Sequence, residues 1–189
     1  ADQGAVVLDT RLDRVAFMRG HLAGALYAPL DKTFPTIAGS YVLPEEQGIY
    51  LVIEAKDVDK AVRQLIRIGI DDIRGYVTPS EVEAAADLVS IPRLTFAEAA
   101  ELDGIVLDVR RASEFSCGHL DGGINIAHTR LILRFDELPT GTRVQVHCAT
   151  GARAACAASY LARRGVDVVF IDDNYAEHGL LAGPIQAIS

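Results

Sequence analysis

The sequence predicts an α/β protein of two similar units, each a parallel sheet flanked by helices, and three observations carry that prediction. The stretch "VVLDTRLDRVAFMRGHLAGALYAPL" (residues 6–30) returns as "IVLDVRRASEFSCGHLDGGINIAHTRL" (residues 105–131). The stretch "YLVIEAKDVDKAVRQLIRIGIDDI" (residues 50–73) returns as "VQVHCATGARAACAASYLARRGVDVV" (residues 144–169). Within each copy an apolar strand-like run passes through a loop into an amphipathic helix, a glycine-containing turn and a second apolar run. That alternation belongs to parallel sheets wrapped by helices.

In chain order, the first copy opens with the strand ending at Asp9, preceded only by "ADQG". Asp9 and Arg11 answer to Asp108 and Arg110, and the "GHL" around His21 answers to the "GHL" around His119. The joint between copies is "DLVSIPRLTFAEAA", where Pro92 interrupts. Thr95 can cap a new helix there, with Glu98 three residues on to complete a capping box. Two units are therefore expected, over residues 1–88 and 92–189. The second copy carries a leading element, "RLTFAEAAELDG", that the first lacks. Together with a first residue that is Ala1, this leads us to expect a longer natural chain or a neighbouring domain over that edge. The last helix, in "AACAASYLARR", is rich in alanine, has no internal Gly or Pro, and ends at Gly165 as its cap.

Composition narrows the function. Half of the 189 residues are apolar and 23% are charged, which suits a chain with a sizeable buried core. A net charge of −8 argues against nucleic acid and anionic membranes as partners. No apolar run approaches the ~20 residues of a membrane-spanning helix, and no signal-peptide pattern opens the chain. Cys117, Cys148 and Cys156 are too few for a disulfide framework, so reduced thiols in a cytoplasmic setting are expected.

The chemistry concentrates in "HCATGAR", residues 147–153. A strand ending at His147 meets a small-residue turn and then a helix N-terminus. Consecutive backbone N–H groups there, with the helix dipole behind them, make a concave anion site. Ala149, Thr150, Gly151 and Ala152 are small enough for the backbone to approach a bound group, and these are the expected substrate-binding residues. Cys148 at the loop's first position is the expected nucleophile, since the same fields favour a thiolate. Arg153 is an unfavourable charge in the first turn of a helix, which hints at a role with an anion or an acid. The bland reading of Cys148 is a buried structural cysteine at a strand end. His147 reads either as a hydrogen-bonded core residue or as a proton donor, and Cys156 as core or as a resolving thiol.

These motifs resemble rhodanese (thiosulfate sulfurtransferase) domains. The signs are "VLDVR…EF…GHLDGGINI" over residues 106–126, the 148–153 loop, and "RRGVDVVFI" over residues 163–171. The resemblance covers nearly the whole chain, once per half. More narrowly, "RIGIDDIRGY" (residues 67–76) followed by an intact copy resembles the C-terminal region of metallo-β-lactamase/rhodanese fusions, which are similar to persulfide dioxygenases. It implies a metallo-β-lactamase-fold domain upstream as a partner, together with a small-molecule sulfur donor and a thiol acceptor. The catalytic pair it implies is Cys148 and Arg153.

Loop length bears on which atom is attacked. Tyrosine phosphatases have five residues between Cys and Arg, whereas this sequence has four. The shorter ring favours a sulfane sulfur over a tetrahedral phosphate, with a phosphatase or arsenate reductase as the enzyme rival and a non-catalytic scaffold as the other. A phosphatase needs a general acid, and Asp172, Asp173 and Glu177 follow in sequence. The family's usual glycine-rich ending with Trp is replaced by "DDNYAEHG". In the first half, Glu54 stands at the expected nucleophile position, so that unit is expected to be inactive. Histidines and cysteines lack metal-ligand spacing, and no metal or other cofactor is expected.

Overall fold

Short β-branched and leucine-rich runs bounded by Gly and Asp turns become parallel strands when helices cover both faces. The computed structural model describes residues 4–43 and 48–178 and realises this arrangement twice. The first half runs β1 (Val6–Asp9), α1 (Arg14–Arg19), β2 (His21–Leu22), β3 (Leu26–Tyr27), α2 (Phe34–Tyr41), β4 (Ile49–Val52), α3 (Val58–Ile66), β5 (Ile73–Val77), α4 (Pro79–Glu83) and β6 (Leu88–Val89). The second runs β7 (Arg93–Leu94), α5 (Phe96–Ala100), β8 (Ile105–Asp108), α6 (Ala112–Ser116), β9 (Ile124–Asn125), β10 (Val144–His147), α7 (Ala152–Arg163), β11 (Val168–Ile171) and α8 (Tyr175–His178). One sheet has the order β3-β1-β4-β5 and the other β7-β11-β10-β8-β9, with parallel pairing throughout both.

The joint follows its local sequence. Thr95 caps α5, its Oγ1 accepting from the Glu98 amide at 3.2 Å while the Glu98 carboxylate accepts from the Thr95 amide at 2.7 Å. Before that, β6 folds back on β2 as an antiparallel ribbon, His21 opposite Val89. In the second sheet β7 covers the outer side of β11, whose residues are all buried. In the first sheet no described strand covers β5, and Tyr76 and Val77 are exposed there.

The buried side chains of both halves form one continuous cluster that includes Leu8, Leu51, Val146 and Phe170. The helix α7 joins them: it packs on β10 and β11 of its own sheet and on β3 and α1 of the other. Residues 154–161 are all buried, so no face of α7 is left for solvent. A helix enclosed on every side must be apolar all round, and its alanines let two sheets approach one axis. Ser159 turns its polarity inward, donating to the Cys156 carbonyl at 2.7 Å and accepting from the Tyr27 amide of the first half at 2.9 Å.

The repeat is also legible atom by atom. Arg11 forks onto Asp9 and donates to the Gly20 carbonyl at 2.9 Å, and Arg110 does the same with Asp108 and the Gly118 carbonyl at 2.8 Å. His21 stacks on Phe17 at 4.0 Å between centroids and His119 stacks on Phe115 at 3.8 Å. These groups pin their loops in both halves alike.

One sequence expectation needs correction. In the sheet registers Val52 lies opposite Asp9, and His147 lies opposite Asp108. The residue equivalent to Cys148 is therefore Ile53, not Glu54. Ile53 is buried, whereas Glu54 is exposed and precedes a 3₁₀ turn, Ala55–Asp57. Matching the two stretches from Tyr50 and Val144 sets the site one residue late, because the sheet registers make Ile49 the counterpart of Val144.

Candidate active site

Cys148 follows directly on β10, and the strand's register fixes where its backbone emerges beside β8. The side chain is 2% exposed. From there the chain curls through 149–151 into α7. Gly151 makes the curl possible, because it holds φ +88 at the helix cap, a left-handed conformation that suits glycine.

Two carbonyls of the curl are held from outside, and the third makes the first hydrogen bond of α7 itself. Ala149 accepts from the Tyr175 amide at 3.0 Å, Thr150 from Arg14 Nη2 at 3.1 Å, and Gly151 from the Ala155 amide at 2.9 Å. A trans peptide puts its N–H opposite its C=O, and every peptide bond here is trans. The N–H groups of Thr150, Gly151 and Ala152 therefore point away from these anchors. Among the described residues no partner within the protein accepts from them. They form a cluster of donors at the positive end of a 12-residue helix.

Arg153 sits on the first turn of α7 and is gripped by Glu114 of α6. Nη1 donates to Oε2 at 2.6 Å and Nη2 to Oε1 at 2.9 Å. This pairing pulls the Glu114 carboxyl down to about 2, and the same guanidinium lies near enough to Cys148 for the two to influence each other's charge. Arg153 and Cys148 are thus brought together, and the unfavourable helix-start charge is offset by an acid. Glu114 escaped the sequence reading because 39 residues separate it from Arg153. Its only signal was its place in the "EF" of the quoted motif.

His147 resolves to the core alternative. It is 1% exposed, stacks on Tyr175 and meets the edge of Phe96. Burial holds its pKa below the usual histidine value, so it is neutral near pH 7. Cys156 is buried, with its thiol toward the Ala152 carbonyl at 3.5 Å, and burial raises its pKa, which opposes a resolving thiolate. Cys117 is exposed. The three carboxylates considered as general acids are engaged elsewhere. Asp172 pairs with Arg14 and Arg93, Asp173 with His178, and Glu177 with Asn174.

A cleft of about 790 Å³ opens beside the loop between the two halves. Lys32 and Ile37 line it from the first half, and Arg111, His128, Arg153 and Cys156 from the second. His128 is driven down to about 4, first by burial and then by the charges of Arg153 and Arg111. Lys32, Arg111 and Arg153 face the cleft together with Asp31, and Arg153 is itself paired with Glu114. Among the described residues no group of three or more His, Cys, Asp or Glu is placed to hold a metal, and no helix is long and apolar enough to cross a membrane.

The rhodanese-like domain family matches residues 95–177. No curated protein sequence matches the chain. Among solved structures, a rhodanese-related protein from Thermoplasma volcanium is 26% identical over 49% of this chain and 95% of its own, with a TM-score of 0.45. Thiosulfate sulfurtransferase from Pseudomonas aeruginosa is 19% identical over 89% of this chain and 40% of its own, with a TM-score of 0.42. A probable thiosulfate sulfurtransferase is 24% identical over 97% of this chain and 98% of its own, with a TM-score of 0.37. Residues 95–177 of this chain are a rhodanese-like domain.

Proposed function

We propose that the chain is a sulfurtransferase that carries a sulfane sulfur on Cys148. The observation that supports this most is the loop itself, whose outward-held carbonyls leave the amides of Thr150, Gly151 and Ala152 free beside Cys148 and Arg153. In the reaction the Cys148 thiolate attacks the outer sulfur of thiosulfate or of a low-molecular-weight persulfide. The donor's S–S bond breaks, and sulfite or the donor thiolate leaves with the electron pair. Cys148 is left as a persulfide whose terminal sulfur carries the negative charge, stabilised by the loop amides and Arg153. An acceptor thiolate or cyanide then attacks that terminal sulfur, takes it as a new persulfide or thiocyanate, and returns the Cys148 thiolate.

Sulfite and thiolates leave as stable anions, so neither step needs a proton donor. A phosphate ester losing an alkoxide does need one, and the pairing of Asp172 with Arg14 and Arg93, of Asp173 with His178 and of Glu177 with Asn174 counts for sulfur over phosphorus. In the same reading residues 1–88 are an inactive copy that walls the cleft, which the buried Ile53 in place of a thiol supports. A metallo-β-lactamase-fold domain in the same chain belongs to this reading too, supported by the resemblance at residues 67–76 and tested by the sequence preceding Ala1.

Intact-mass measurement after thiosulfate treatment tests the reaction. A gain of one sulfur atom, removed by cyanide or a thiol and missing in Cys148→Ser, is the expected result. No gain with thiosulfate or persulfide donors, alongside phosphate release from an aryl phosphate, would overturn it.

A further inference from the structure

We infer that Arg14, in the half without a nucleophile, is a positioning residue for the anion cradle of the other half. Arg14 is the first residue of α1, and it reaches 136 residues along the chain to donate from Nη2 to the Thr150 carbonyl at 3.1 Å. Its Nε donates to Asp172 Oδ1 at 2.9 Å. Asp172 is 7% exposed in its side chain and is held from its other oxygen by Arg93 Nη1 at 3.3 Å. One planar guanidinium thus ties a rigid carboxylate to a loop carbonyl.

The consequence runs through the peptide plane. Drawing the Thr150 oxygen outward aims the Gly151 N–H in the opposite sense, into the cradle. Gly151 is the residue at positive φ, and a side chain there would run into Asp172 Oδ1 and lie 3.1 Å from Arg14 Nε. The absent Cβ, the Arg14 fork and Asp172 therefore fit as one unit against the outer wall of the loop. The repeat argues that this is not a general feature of the fold. Counting back three residues from the equivalent Phe17 and Phe115, the counterpart of Arg14 is Ala112, which has no such reach.

The inference rests on the cradle reading of the 148–153 loop, and its test separates the two. Arg14→Lys keeps a positive charge facing Asp172 but loses the two-pronged geometry, whereas Arg14→Met keeps only the stem. Deleting a direct anion donor costs ~10²–10³ in rate, so misaiming one amide is expected to cost about tenfold. Both variants should transfer sulfur from thiosulfate to Cys148 about tenfold more slowly per folded molecule, and sulfate should protect Cys148 from iodoacetamide correspondingly less. Thermal unfolding of Arg14→Lys should match the parent. If Arg14 only ties the halves together, Lys restores loading and sulfate protection along with stability, and the inference is overturned. Parent-like loading in Arg14→Met overturns it as well. If the parent never gains sulfur but is protected by sulfate, sulfur transfer fails while loss of protection in both variants still supports Arg14. If sulfate does not protect the parent either, cradle and latch fall together.

Discussion

Glu114 and Arg153 meet fork to fork, with Nη1 donating to Oε2 at 2.6 Å and Nη2 to Oε1 at 2.9 Å. Such pairing fixes direction as well as charge. Glu114→Gln is expected to free the guanidinium and slow sulfur loading of Cys148 by about tenfold, whereas Arg153→Lys, which cannot fork, should lose about a hundredfold. Stopped-flow loading with thiosulfate reads both. The Glu114 carboxyl lies near 2 in the fold against 4.5 unperturbed, so the pair is intact above pH 4.5 and is lost only as pH falls toward 2. Sulfate protection of Cys148 should therefore show no Glu114 titration between pH 8 and 5.

His128 makes the fold acid-sensitive in a higher window. Its pKa falls from 6.5 to about 4, because burial and two nearby arginines oppose its charge. The unfolded chain takes up this proton first, so the contribution is present above pH 6.5 and is lost as pH falls to about 4. At 1.36 kcal/mol per pKa unit the full shift corresponds to about 3.4 kcal/mol, and solvent screening of a partly exposed ring reduces the loss to roughly 1–2 kcal/mol. Urea unfolding of His128→Gln should have a flatter pH profile than the parent between pH 6.5 and 4. Identical slopes would contradict the assignment.

Gly151→Ala combines two penalties, a strained φ of +88 and a methyl group directed at Asp172 and Arg14. It is expected to destabilise the fold by about 1–3 kcal/mol and to abolish measurable sulfur loading. Chemical denaturation and intact-mass analysis check the two effects separately.

Ile53→Cys puts a thiol at the register position equivalent to Cys148. It should not become reactive. A 3₁₀ turn follows it instead of an open curl, and no arginine stands five residues on, where Val58 is found. In a Cys148→Ser background we expect no sulfur gain at this new cysteine and alkylation no faster than at Cys156, with about 1 kcal/mol lost to the smaller side chain. Loading at position 53 would show that the strand–helix junction alone suffices.

The strand–helix alternation, the caps of two helices and the position of the thiol loop are readable in the chain because they rest on local patterns. Alternating apolar runs, a Thr95–Glu98 capping box and Gly165 after an alanine-rich helix act within a few residues of one another. The repeat adds pairs such as Asp9–Arg11 and Asp108–Arg110, two residues apart, that recur with the same geometry. The Glu54 assignment went astray by one residue at the start of β4, because strand register is a relation between strands and not along one.

The sequence by itself determined the α/β class, the internal repeat and the small-residue loop with Cys148 and Arg153, since these depend on spacing along the backbone. Only the tertiary structure decided which groups orient that loop. Glu114, Arg14 and Asp172 lie 39, 136 and 22 residues from the loop atoms or partners they serve, counting Glu114 to Arg153, Arg14 to Thr150 and Thr150 to Asp172. They converge because α7 is buried between two sheets that share one core. Packing around that helix, rather than any motif, brings Arg14 of the first half onto the Thr150 carbonyl of the second.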